Sequence, residues 1–101
     1  MRILDDLLRE AKEAGASDVH ISQGRPPFFR IDGQLQAVGQ ELLSPEEATS
    51  MIDALLKRDP EQRSRELQED KQTDFSYALQ DGTRFRVNVF QHVGAFTAAL
   101  R

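Results

Sequence analysis

Arg84 and Arg86 stand two apart in a run of alternating character, Arg84-Phe85-Arg86-Val87-Asn88-Val89-Phe90. Successive side chains of an extended chain point to opposite faces. The arginines therefore share one face with Asn88 and Phe90, and Phe85, Val87 and Val89 share the other. Arg101 closes the next run. A guanidinium carries a permanent charge and a planar fork of donors, which suits it to recognising phosphate. The plainer alternative is a set of solvated ion pairs with the carboxylates of an acidic chain. Register bears on this choice. A two-residue turn at Val93-Gly94 pairs Val87 with Leu100 and Val89 with Ala98, and sets Arg86 directly opposite Arg101. Like charges facing each other on a sheet cost a fraction of a kcal/mol to about 1 kcal/mol. A phosphate held between the two forks relieves that repulsion. The expectation is two exposed arginines side by side, with no shared carboxylate from this domain.

Other reactive types are sparse. Asp18 and His20 share one face of a short strand and could be drawn as a dyad or half a metal site. No third ligand or nucleophile lies at a recognisable spacing, so a polar strand face with a hydrogen-bonded histidine is the simpler reading and no metal site is expected. There is no G-x-x-x-x-G-K-[ST] phosphate loop, no G-x-S-x-G and no H-E-x-x-H. The chain alone is expected neither to hydrolyse ATP nor to bind it tightly, and no catalytic residue is assigned within it.

The elements that would carry these residues are legible from periodicity. Ile3, Leu4, Leu7, Leu8 and Ala11 form one stripe of a helix over 2–14, with acidic residues at its start and Gly15 as its stop. Strands follow over 17–22, 27–31 and 34–38, with Gly24-Arg25-Pro26-Pro27 as a stiff corner. Ser44-Pro45-Glu46-Glu47 reads as a capping box opening a helix that runs to about residue 57. Asp59-Pro60 opens a shorter helix over 60–69, nearly all polar, whose charges read as a solvated face anchored by Leu67. Three more strands follow over 73–79, 83–91 and 95–101. For the hairpins, keeping Phe29 on the face of Leu35 and Ala37 requires an odd loop through Asp32-Gly33. Joining Phe75, Tyr77 and Leu79 to Phe85, Val87 and Val89 requires another through Asp81-Gly82. The sum is an α+β domain, a largely antiparallel sheet of about six strands with helices packed on one face.

Composition bounds the rest. The chain has 101 residues, 39% of them apolar and 30% charged, which suits one domain spanning 1–101 with a modest core. It has no cysteine, so disulfides and thiolate metal sites are excluded. The net charge of −4 argues against a nucleic-acid partner. No apolar run spans a bilayer and no signal-peptide pattern opens the chain, so a cytoplasmic protein without direct membrane insertion is expected. The last expected strand is still running at Arg101, which suggests a domain taken from a longer protein.

Ala16-Ser17-Asp18-Val19-His20-Ile21, then Gly24, Pro26-Pro27, Arg30 and Asp32-Gly33, resemble a signature of the type IV pilus retraction ATPases, the PilT family of secretion ATPases. Asp74-Phe75-Ser76-Tyr77 and Arg84-Phe85-Arg86-Val87-Asn88 extend the resemblance. It implies a PAS-like N-terminal domain with regulatory and oligomerising roles, belonging to a hexameric motor that uses ATP with Mg and works with the pilus assembly machinery in bacterial twitching motility. The phosphate loop would lie on a RecA-like domain after residue 101. By the same resemblance Arg86 and Arg101 would reach the nucleotide phosphates, with Arg84 and Asn88 as accessory contacts. One departure is visible. The turn that commonly carries an arginine before its glycine reads Gln91-His92-Val93-Gly94 here. The alternatives are a freestanding PAS-like small-ligand sensor, or an adaptor. The sensor needs a roomy cavity, which Phe28, Phe29, Phe75, Tyr77 and Phe85 are expected to fill.

Overall fold

The structure, a computed structural model, describes residues 3–92 and 94–101, with only the backbone of His92. The expected helix start at residue 2, and Val93 in the last turn, lie outside the described residues. The chain runs α1 (Leu4–Glu13), β1 (Asp18–Ser22), β2 (Phe28–Ile31), β3 (Gln34–Ala37), α2 (Pro45–Leu56), α3 (Pro60–Asp70), β4 (Gln72–Ala78), β5 (Arg84–His92) and β6 (Ala95–Leu100). The six strands form one sheet in the order β3-β2-β1-β6-β5-β4, antiparallel at every pairing.

The helices cover one face of this sheet, and the apolar periodicities explain why. On α1, Leu4, Leu7, Leu8 and Ala11 are buried. They join Val19 and Ile21 of β1, Phe29 of β2, Val87 and Val89 of β5, and Ala98 and Leu100 of β6 in a single core. α1 stops where Gly15 takes a φ of +74°, and the amides of Gly15 and Ala16 reach back to the carbonyls of Lys12 and Ala11. α2 opens as expected. The Ser44 hydroxyl accepts from the Glu47 amide at 3.1 Å, and the Glu47 carboxylate accepts from the Ser44 amide at 3.4 Å. Ala48, Met51, Ile52 and Leu55 then face the core.

Four expectations need correction. Ile3 is 65% exposed and stands outside the α1 stripe, since the helix begins only at the next residue. α3 is not held by Leu67 alone, and its charges are not all solvated. Arg63, with a side chain only 12% exposed, stacks 5.4 Å from the Phe75 ring centroid, donates to the Asp74 carbonyl at 2.8 Å and pairs with Glu66 at 3.3 Å. Glu66 in turn accepts from the Thr73 hydroxyl. A guanidinium and its partners thus replace part of the apolar anchor. Phe28 is not in the core; β2 turns Phe29 inward, and Phe28 lies half-buried on the open face.

The fourth correction is the first hairpin. Ile31 pairs with Gln34 and Phe29 with Gln36, so Asp32-Gly33 is a two-residue loop. Both loop residues have positive φ, 51° and 80°, the geometry of a type I′ turn. The odd-loop expectation assumed that burial selects the register. β3 is exposed along its whole length, with Leu35 50% exposed, so no buried face competes with the turn. The second hairpin does have the odd loop. Leu79 pairs with Thr83, leaving Gln80, Asp81 and Gly82, with Gly82 at a φ of +92°. There Leu79 and Phe85 are buried on one face, and parity had to be kept.

Two predictions follow from these contacts. Gly33→Ala meets no steric obstacle, yet it places a Cβ at positive φ, and it should cost about 1 kcal/mol in urea unfolding. An unchanged midpoint would show that the turn tolerates L-residues. Tyr77 donates to the Asp5 carboxylate at 2.6 Å, tying β4 to the first turn of α1. Burial, and then that carboxylate, raise its pKa from 10.0 to about 12. The folded state thus favours the protonated phenol more than the unfolded state does. Its contribution is complete below pH 10 and is lost as pH rises toward 12. Stability curves of the parent and Tyr77→Phe should converge over that window. Parallel curves would rule the linkage out.

Candidate functional site

β5 and β6 carry the candidate residues to the uncovered face of the sheet. Val87 pairs with Leu100, Asn88 with Ala99 and Val89 with Ala98, the register expected from the apolar face. One position further, the Arg86 and Arg101 amides and carbonyls exchange hydrogen bonds at 2.9 and 2.8 Å, which makes the two arginines a directly opposed pair. Both are exposed. With Gln72, Asp74, Ser76, Asn88 and Ala99 they line an open trough of about 540 Å³. Ala99, a small residue, forms part of its floor.

The partners of these residues differ. Among the described residues, the side chains of Arg84 and Arg86 have no ion-pair or hydrogen-bond partner. Asn88 donates its amide to Asp74 at 2.9 Å and to Gln72 at 3.3 Å, which holds Asp74 in the trough wall. Arg101 does have a carboxylate, since its Nε lies 3.2 Å from Asp18. Arg86 does not share it. The Arg101 side chain remains 81% exposed, so this is a surface contact and not a buried lock.

Asp18 and His20 are not brought together as a dyad. Asp18 turns to the arginines, while the buried Nε2 of His20 has no hydrogen-bond partner among the described residues, contrary to the hydrogen-bonded histidine expected. His20 lines a second open hollow with Phe28, Leu35, Phe90 and Thr97. Sequence reasoning missed Asp18 as the neighbour of Arg101. The signal lies in the pairing of β1 with β6, which joins distant parts of the chain and leaves no local pattern. No helix among the described residues is long and apolar enough to cross a membrane.

No family model matches the chain. The type IV pilus retractation ATPase PilT of Pseudomonas aeruginosa is 32% identical over 93 residues, which cover 91% of this chain and 26% of that protein. The type IV pilus ATPase PilU of the same organism is 31% identical over 86 residues, 85% of this chain and 22% of that one. In solved structures, the pilus retraction motor PilT with bound ADP superposes over the whole chain and 29% of its own length, with a TM-score of 0.86 and 35% identity. The Legionella pneumophila ATPase DotB superposes with a TM-score of 0.76 and 26% identity, over 97% of this chain and 28% of that one. The chain thus spans about a quarter of the length of the relatives it matches. In sequence and in fold the chain belongs to the PilT family of ATPases, as a domain of the kind found at their N-terminus.

Proposed function

We propose that this domain is the regulatory and oligomerisation domain of a cytoplasmic, hexameric pilus-retraction or secretion motor. In this reading a RecA-like domain of the same protein holds ATP and Mg, and the domain described above supplies Arg86 and Arg101 to the nucleotide phosphates across the domain boundary. Arg84 could add to the field, whereas Asn88 would have to release Asp74 first. The neighbouring subunits and the pilus assembly machinery are the partners.

The observation that carries the reading is the Arg86–Arg101 pair. Two arginines are set opposite each other by backbone hydrogen bonds on a face no helix covers, a placement of like charges that disfavours the empty sheet. The repulsion is relieved by an anion between them, and phosphoryl oxygens match the donor geometry. The likeness to a PilT solved with ADP supports a nucleotide as the source of that anion. The test is steady-state ATP turnover by the intact ATPase carrying this domain, with Arg86→Ala and Arg101→Ala compared against the parent. Both variants should fold and turn over slowly. Normal turnover in both would sink the reading.

A further inference from the structure

A row of paired residues crosses the uncovered face from β2 to β4. Arg30 of β2 pairs with Asp18 of β1. Asp18 lies one place beyond the Val19–Leu100 pair and so opposite Arg101, which is opposite Arg86 of β5, which is paired with Ser76 of β4. The signs along the row are plus, minus, plus, plus. Asp18 is shared by two of the three arginines, with Arg30 Nε at 3.3 Å from one carboxylate oxygen and Arg101 Nε at 3.2 Å from the other. The Asp18 side chain is 18% exposed and also accepts from the Ser17 hydroxyl at 3.0 Å. Arg30 is fixed from its other end, donating through Nη1 to the Gly33 carbonyl at 3.1 Å. The turn that defied the burial rule therefore secures one arm of this row.

We infer that Asp18, braced by Arg30, is a positioning residue that orients Arg101 so that Arg101 and Arg86 form one seat for a phosphoryl-type oxyanion. The contact on Arg101 is made by Nε, and no hydrogen bond or ion pair is made by its terminal nitrogens among the described residues, while Arg101 itself lines the trough. An 81% exposed arginine would otherwise sample many rotamers, and freezing it on binding would cost affinity. An anion between Arg101 and Arg86 restores the alternation of sign along the row. Asp18 does not touch the anion; it acts through Arg101. The inference rests on the phosphate reading proposed above.

The test titrates the chain with inorganic pyrophosphate and follows the arginine Nε–H resonances by NMR. The parent should bind weakly but saturably, below about 20 mM. Arg101→Ala should weaken binding by about tenfold. Asp18→Asn should weaken it severalfold, and the double variant should be no weaker than Arg101→Ala, because Asp18 works only through that side chain. If Asp18→Asn binds as well as the parent, or if the two losses add, the inference is overturned while the phosphate reading stands. If Arg101→Ala also binds normally, or if the parent shows no saturation, both fall in this chain. Should Asp18→Asn fail to fold, the parent alone decides. Its Arg101 Nε–H should be as ordered as that of Arg30 and more ordered than those of Arg84 and Arg86, and equal mobility of all four overturns the positioning role.

Discussion

ATP turnover by the proposed motor should fall by on the order of a hundredfold when Arg86 is replaced by alanine, the loss typical of removing one preorganised donor from a developing oxyanion. The side chain is exposed and has no partner among the described residues, so its removal orphans no charge and opens no cavity. Thermal unfolding should therefore stay within a few degrees of the parent, and the loss can be assigned to the ligand. Arg101→Ala leaves Asp18 paired with Arg30 and should likewise be folded. A fall in kcat at constant KM would place the contact in the transition state; a rise in KM alone would place it in ground-state binding. Turnover within twofold of the parent would show that the arginine faces solvent throughout the cycle.

The largest effect on stability is expected at Leu8. This side chain is fully buried on α1 in the common core with Val19, Ile21, Val89 and Leu100. Leu8→Ala should cost about 3 kcal/mol, the sum of lost transfer energy and an unfilled cavity. For a domain of this size that is a large share of total stability, and the thermal midpoint should drop by roughly 15 °C. Loss of less than about 1 kcal/mol in urea would mean that α1 can shift to close the void. Ile3, five residues earlier and 65% exposed, should tolerate alanine with little change.

The sequence and the structure agree most closely where an apolar face is buried. Val87, Val89, Ala98 and Leu100 alternate with polar neighbours, and that alternation carried the register which sets Arg86 against Arg101. Agreement failed where burial is absent. β3 has no layer over it, and there the Asp32-Gly33 turn chemistry ruled. It failed again at Arg63, because a charged residue on a polar helix gives no sign that a ring and a carbonyl will hold it. Local pattern makes Asp18 a neighbour of His20, two residues away, whereas its ion-pair partners are 12 and 83 positions distant along the chain. Local pattern specifies the elements, and the charge row depends on contacts that only the assembled sheet creates.

The middle of the sheet has a kinetic consequence. β1 and β6 are its two central strands, and paired residues such as Ser22 and Thr97 are 75 positions apart. The β1–β2–β3 and β4–β5–β6 units can each zip up from short loops, but joining them closes a loop of most of the chain, the slow kind of contact in folding. On a ribosome, β1 emerges long before β6 and must wait with the edge that β6 will pair left open. Both units would then present bare strand edges and apolar faces until the final strand arrives, which is when a chaperone would matter most to this domain.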